Sequence, residues 1–217
     1  MALRVLHPRA YRRTRWQNDG GWTTEIASEP MADPAQGFRW RVSIADIESD
    51  GPFSVFPGVD RDLLLLAGKG IELDINDAPP LRLDQRFQRT HFAGEDAVGC
   101  RLLAGPTRDF NVMARRGIVS AEVHARPLNG TMLVFAEAGA TWLVHVFAGQ
   151  ASARSADETV AAETGETLVV EPGMEGRERI VIEGGGELVL VRFFEVGKSS
   201  ANGGAGFDGR PRVAASL

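Results

Sequence analysis

The chain carries one cysteine, Cys100, in 217 residues. An internal disulfide is therefore excluded, which fits a reducing compartment and leaves burial to hold the fold. Histidine is also scarce. His7, His91, His124 and His145 stand far apart, and no H-x-H pair places two imidazoles on one strand face. A transition-metal site needs several such ligands within about 2.0–2.2 Å of one ion, so no metal and no other cofactor is expected. No apolar run approaches the roughly 18 residues that span a bilayer, so no membrane partner is expected. The basic N-terminal stretch lacks an apolar h-region, so no signal peptide is expected either. The expected location is the cytoplasm. Basic charge is not in excess: the net charge is −5, which argues against a nucleic-acid partner. Catalytic signatures are thin. There is no G-x-S-x-G elbow. Gly20 and Gly21 are followed neither by Gly-Lys-Ser/Thr nor by a helical pattern, which excludes a phosphate loop. Cys100 has no histidine nearby in sequence and reads as a buried structural thiol. No long amphipathic helix is visible.

What is present is alternation. Phe38, Trp40, Val42 and Ile44 point one way, and Arg39, Arg41 and Ser43 the other, the period of a strand with one apolar face. Asp50-Gly51-Pro52 and Phe56-Pro57-Gly58 interrupt the chain, because Gly and Pro favour turns. Leu63 to Leu66 is a solid apolar run and reads as a strand buried on both faces. Gly68-Lys69-Gly70 reads as a tight hairpin turn into the alternating Ile71 to Ile75. Asp60, Arg61 and Asp62 sit where the loop feeds the central strand, and the two aspartates flanking Arg61 predict a local ion pair.

Leu3 and Val5 can pair as an edge strand, and Arg9, Arg12, Arg13 and Arg15 form a solvated cationic cluster. Residues 28–37 read as a polar loop, and residues 87–97 as an irregular segment. Further short strands are expected at Leu81 to Leu83, Cys100 to Leu103, Phe110 to Arg116 and Ile118 to His124. Residues 126–130 look like a joint. Beyond it come Thr141 to Phe147, a turn at 148–150, then Ala151 to Ala153, a weak echo of the first half. Arg179 to Glu183 and Glu187 to Val196 flank a Gly184-Gly185-Gly186 turn. Short strands at 8–12-residue spacing with Gly/Pro turns argue for an all-β sandwich or barrel, here two in tandem. The expected division is residues 1–127 with the candidate pocket, residues 128–196, and a disordered Gly/Ser/Ala-rich tail at 197–217.

WQNDGGWTTEI (16–26), the block from Phe38 to Leu73, HFAGE (91–95) and DFNVMARR (109–116), in this order, resemble the HutD/Ves family of cupin-fold proteins. The resemblance covers about residues 16–116 with specific motifs and the second half by strand pattern. The family usually reads W-K-N-G-G-G. Here Gln17 stands for the lysine and Asp19 for a glycine, which loses a cation and adds an anion. The resemblance implies two tandem RmlC-like jelly-roll β-barrels, a bicupin. It also implies a link to histidine utilization (HutD) or to environmental stress (Ves), and, by analogy with cupins, a homodimer paired through edge strands. Many cupins hold a metal with three histidines and a glutamate, a set this chain does not offer in sequence.

What remains is a recognition set. Arg61 offers a planar fork for a carboxylate, a charge-assisted bond worth roughly 1.5–3 kcal/mol. Asn18, Asn111 and Thr23 can donate and accept. Arg41 and Ser43 share one strand face, as do Asn111, Met113 and Arg115. Trp16, Phe53 and Phe56 are candidate walls, with Ser54 beside them. The first expectation is metal-independent binding of a small anionic metabolite in the first half; the family suggests urocanate or formylglutamate and a regulatory role. A second is a metal-free isomerase or hydrolase whose acid–base groups come from Glu25, Glu95, Asp109 and His91. A third is a Ves-like, stress-induced interaction protein.

Overall fold

The computed structural model describes residues 2–171 and 177–197. The expected tail from residue 198 onward lies outside the described residues. Among the described residues the chain is all β, broken only by short 3-10 turns at Pro8–Ala10 and Pro34–Gln36. The strands are β1 Ala2–Leu6, β2 Arg12–Arg15, β3 Gly21–Pro30, β4 Phe38–Ile47, β5 Gly51–Pro52, β6 Val59–Ala67, β7 Ile71–Ile75 and β8 Leu81–Leu83. They continue with β9 Arg89–Ala93, β10 Val98–Leu102, β11 Thr107–Arg115, β12 Val119–Glu137, β13 Ala140–Arg154, β14 Thr159–Glu163, β15 Thr167–Glu171 and β16 Arg177–Glu195. No helix among the described residues is long and apolar enough to cross a membrane.

The chain forms two compact units, residues 12–116, and residues 2–11 with 117–197. In the first, a six-stranded sheet runs in the order β2-β3-β4-β11-β6-β9, and a four-stranded sheet runs β5-β10-β7-β8. Alternation along β4 and β6 sends one set of side chains inward. Ala45, Ile47, Leu63, Ile71, Leu73, Leu83, Phe92, Val98 and Cys100 form one buried cluster drawn from both sheets. Leu63 to Leu66 are all no more than 1% exposed, as expected for a strand covered on both faces. Each such side chain contributes about 1.5–3 kcal/mol by leaving water. Cys100 is a buried free thiol in this cluster, and burial pushes it up to about 12.

Two local expectations change here. The turn at Gly68 to Gly70 does not close a hairpin: β6 pairs with β11 and β9, and β7 pairs with β10 and β8 in the other sheet. Gly70, at φ +102°, leaves no room for a Cβ against the Leu83 carbonyl at the point where the chain crosses between the sheets. The segment read as irregular contains β9, because its hydrogen-bond partner β6 lies about thirty residues upstream and no local pattern reveals such a pairing.

In the second unit the sheet order is β1-β15-β13-β16-β12, with β14 paired to β13. Leu3 and Val5 do lie on a sheet-edge strand, opposite Val170 and Leu168. The joint expected at 126–130 falls inside β12, which pairs with β16 along its whole length from Val119 to Glu137. The Gly184 to Gly186 stretch is likewise no turn. It is paired on both sides, to 128–130 and to 149–151, and Gly186 approaches the Ala148 backbone too closely to carry a Cβ. The turn expected at 148–150 is part of β13, with a bulge between Val146 and Ala148. This unit buries a polar relay: His145 Nδ1 lies 2.9 Å from Thr167 Oγ1, which lies 2.9 Å from the Tyr11 hydroxyl. The Tyr11 hydroxyl is also within hydrogen-bond distance of the Leu6 and Gly165 carbonyls.

Candidate functional site

Antiparallel pairing puts directly opposed residues on the same face. β11 carries Asp109, Asn111 and Met113 at alternate positions, opposite Ala45, Ser43 and Arg41 of β4. On its other side Met113 opposes Arg61 and Asn111 opposes Leu63. β3 adds Thr23 opposite Ala45 and Glu25 opposite Ser43. One face of three adjacent strands and β6 therefore gathers Thr23, Arg41, Ser43, Arg61, Asp109 and Asn111. It bounds a cavity of about 530 Å³.

The cavity floor holds Arg61, Asn111, Ser43, Arg41, Thr23 and Asp109, and its walls include Trp16, Phe53, Ser54 and Phe56. Asn18, Gln17, Arg15, Ala45, Pro52 and Met113 complete it. The expected recognition residues thus come together, with one exception. Arg115 does not line the cavity. At the end of β11 its guanidinium turns away over the Phe38 ring and donates to the Pro57 and Gln36 carbonyls, 3.0 and 3.1 Å away. It ties two loops together instead.

Arg61 is 5% exposed. Its Nη2 donates to Asn111 Oδ1 at 2.9 Å and its Nη1 to the Ser54 carbonyl at 3.3 Å. Its Nε has no hydrogen-bond partner. Three rings surround the guanidinium carbon: Phe92 at 4.9 Å, Phe53 at 5.4 Å and Phe56 at 5.7 Å. The predicted ion pair with Asp60 and Asp62 does not form. Period two sends these neighbours to the opposite face, where Asp60 pairs with Arg116 and Asp62 with His91 and Arg89. Among the described residues no carboxylate lies within ion-pair distance of Arg61. Burial lowers its pKa to about 10; Asp109 pulls it back up and Arg41 pushes it down.

Asn111 links that cation to an anion. Its Nδ2 donates to Asp109 Oδ1 at 2.8 Å. Asp109 is 0% exposed, and its Oδ2 has no hydrogen-bond partner. Burial pushes its carboxyl up to about 7; Arg61 and the Asn111 bond oppose the rise, and Asp46 adds to it. Of the four acid–base candidates, Asp109 alone lines the cavity. Glu25 is held by Arg41 at 2.7 Å. Glu95 is bound to Arg116. His91 opposes Asp62, on the other face, and its hydrogen bond with Asp62 raises its pKa. Sequence reading placed Asp109 among possible acids but not in the pocket. Its alternation with Asn111 and Met113, at every second position of one strand, was the available signal.

The 16–21 turn supplies the mouth. Trp16 Nε1 donates to Thr23 Oγ1 at 2.8 Å, and Asn18 Oδ1 accepts from the Gly20 amide at 3.0 Å. Gly21 is required by contact rather than by φ, because a Cβ would strike the Asp46 carbonyl. The positive φ of the turn, 54°, is taken by Asp19. Arg15 answers the added anion: its Nε donates to Asp19 Oδ1 at 3.3 Å and its Nη1 to Glu48 Oε2 at 2.5 Å.

A cupin-type metal does not fit these residues. None of the four histidines lines the cavity, and among the described residues Asp109 is the one carboxylate that does. No group of three or more His, Cys, Asp or Glu able to hold an ion occurs among the described residues.

Known proteins resemble this chain in sequence or in structure. A protein described as an uncharacterized 21.2 kDa protein in the hutC 3′ region of Pseudomonas putida is 42% identical over 111 residues, 51% of this chain and 57% of that one. Protein Ves of Citrobacter koseri is 38% identical over 125 residues, 57% of this chain and 63% of that one. The chain thus covers less than two thirds of the length of these two curated relatives. The structure of HutD from Pseudomonas fluorescens SBW25, determined in a formate condition, superimposes with a TM-score of 0.76 at 30% identity, covering 90% of this chain and 100% of that one. Cupin-like structures at far lower identity share the fold alone, such as protein Ylba from E. coli, with a TM-score of 0.64 at 9% identity over 92% of this chain and 93% of that one. A family model described as HutD matches residues 8–190, and the chain belongs to the HutD family.

Proposed function

We propose that this protein is a two-cupin, metal-independent binder of a small anionic metabolite, held in the 12–116 unit. The observation that carries the reading is Arg61: a buried cation facing a cavity, caged by three rings, with no carboxylate of the described residues within ion-pair distance and its Nε unpartnered. A desolvated cation is costly until a counter-charge reaches it. In this reading a ligand carboxylate supplies that charge. Asn111 and Asn18 orient the rest of the molecule, Arg41, Ser43, Thr23 and Ser54 offer further polar contacts, and Trp16, Phe53 and Phe56 give apolar cover. The family's name directs the first trials to urocanate and N-formylglutamate, with a regulatory role in the cytoplasm.

Calorimetry and thermal unfolding test this with both compounds and with formate. A ligand at a hundred times its Kd raises stability by about 2.7 kcal/mol. Arg61→Ala is expected to weaken binding by about tenfold to a hundredfold. Equal affinity in the variant removes Arg61 from the site. No heat and no melting shift at millimolar concentration with any of the three removes the reading.

A second reading has one specific observation behind it. Asp109, a cavity-lining residue whose carboxyl is pushed up to about 7 and whose Oδ2 has no hydrogen-bond partner, suits general acid–base catalysis. A metal-free isomerase or hydrolase would then yield new product over time from a bound acid. Saturable binding with no new species in the NMR spectrum after prolonged incubation decides for the binder.

A further inference from the structure

We propose that Asp109 reads a hydrogen-bond donor on the ligand, so that the cavity selects small acids carrying an N–H or O–H beside the carboxylate and rejects those offering only acceptors there. This rests on the binding role of Arg61 set out above and adds the chemistry of the ligand's other end.

Three groups form a line on one sheet face. Arg61 donates to Asn111, and Asn111 donates to Asp109. Asn111 can make both bonds in one amide orientation only, with Oδ1 toward the guanidinium and Nδ2 toward the carboxylate. The line therefore has a fixed polarity, cationic at Arg61 and accepting at Asp109. Asn111 occupies Oδ1 of Asp109 and leaves Oδ2 without a partner. A fully buried carboxylate oxygen with no donor is a costly arrangement, and the residue that carries it lines a cavity of about 530 Å³. A molecule that places its carboxylate on Arg61 lies two hydrogen bonds from Asp109. A donor on that molecule satisfies Oδ2, whereas an ether, ester or furan oxygen at the same place meets it as acceptor against acceptor. A pocket built to pair one polar group discriminates strongly against the analogue that lacks it.

The charge of Asp109 sets how strong the choice is. The titratable and charged groups acting on it are Arg61 from β6, Asp46 from β4 and Cys100 from β10, and Arg41 from β4 acts in turn on Arg61. Ionised, Asp109 only accepts. Protonated, it also donates and tolerates an acceptor. Preference for the donor is therefore greatest above the midpoint near 7 and shrinks below it.

Two probe pairs that differ by one atom test this on the intact chain by calorimetry. N-Acetylglycine is compared with acetoxyacetate, where ester oxygen replaces the amide N–H, and urocanate with 3-(2-furyl)acrylate. At pH 8 the N–H member of a pair is expected to bind about tenfold to a hundredfold more tightly. The ratio is expected to narrow at pH 6 for the amide/ester pair, whose bridging groups do not titrate there. It is expected to fall toward one in Asp109→Leu, whose folding is checked by thermal unfolding; the wild-type ratio decides the matter if that variant does not fold. If both members of every pair that binds do so within twofold, while Arg61→Ala still weakens binding by about tenfold or more, this inference is overturned and the binding role of Arg61 stands. If none of the four probes binds and formate and N-formylglutamate also fail, the binding role itself falls, and this inference with it.

Discussion

Asp109→Asn is a test of what the buried carboxyl does to the fold. Burial moves this group from 3.8 to about 7. Between those values the native protein holds a proton that the unfolded chain has released. Stability therefore falls as pH rises through this window, and it levels off once Asp109 is ionised in both states. Each pH unit of displacement is worth about 1.4 kcal/mol. The ionised carboxylate therefore costs the fold on the order of 4 kcal/mol at pH 8, even with Arg61 and Asn111 helping it. Asparagine keeps the shape and abolishes the titration. At pH 4 wild type and variant should be close in stability. At pH 8 the variant should be the more stable, by up to a few kcal/mol. Urea unfolding in a Trp142→Phe background reads this through Trp16, Trp22 and Trp40, all within residues 12–116. The difference between variant and wild type, followed from pH 4 to pH 8, isolates Asp109 from every other titrating group. A difference that stays constant across that range would refute the reasoning, as would a carbon NMR titration that places the Asp109 carboxyl near 4.

The other unit offers two further tests, both read by Trp142 fluorescence. Burial pulls His145 down to about 4, so the unfolded chain takes up a proton between pH 6.5 and 4 that the native state refuses, and stability falls as pH drops through that window. His145→Gln should flatten this acid limb, by on the order of 3 kcal/mol; an unchanged limb would show that His145 is not its source. Gly186→Ala puts a Cβ into the Ala148 backbone at a φ of +138°. It should cost at least about 3 kcal/mol, and an unaltered urea midpoint would mean that the close crossing of β13 and β16 is not required.

The alternation of side chains carried most of the local information. It placed Arg41 with Ser43 and Asn111 with Met113, and it set Leu63 to Leu66 in a buried strand, because which face a strand residue takes depends only on its neighbours in sequence. Trp16, Asn18 and Thr23 were readable as a group because a single short turn holds them. The same local rule stopped short at long range. It could not say that β7 leaves the sheet of β6, that Gly184 to Gly186 is paired on both sides, or that Arg115 bends away to hold two loop carbonyls. These outcomes depend on backbone partners far along the chain. Nor could it show that Asp60 and Asp62 do not pair with Arg61, since that follows from the salt bridges formed on the opposite face. Sequence by itself determined the kinds of side chain available and the face each strand would offer. Tertiary structure alone decided that Arg61, fifty residues from Asn111, would meet it at 2.9 Å with Asp109 just behind. Pairing across such a separation is settled by the whole sheet's burial and register, and no short stretch of residues encodes it.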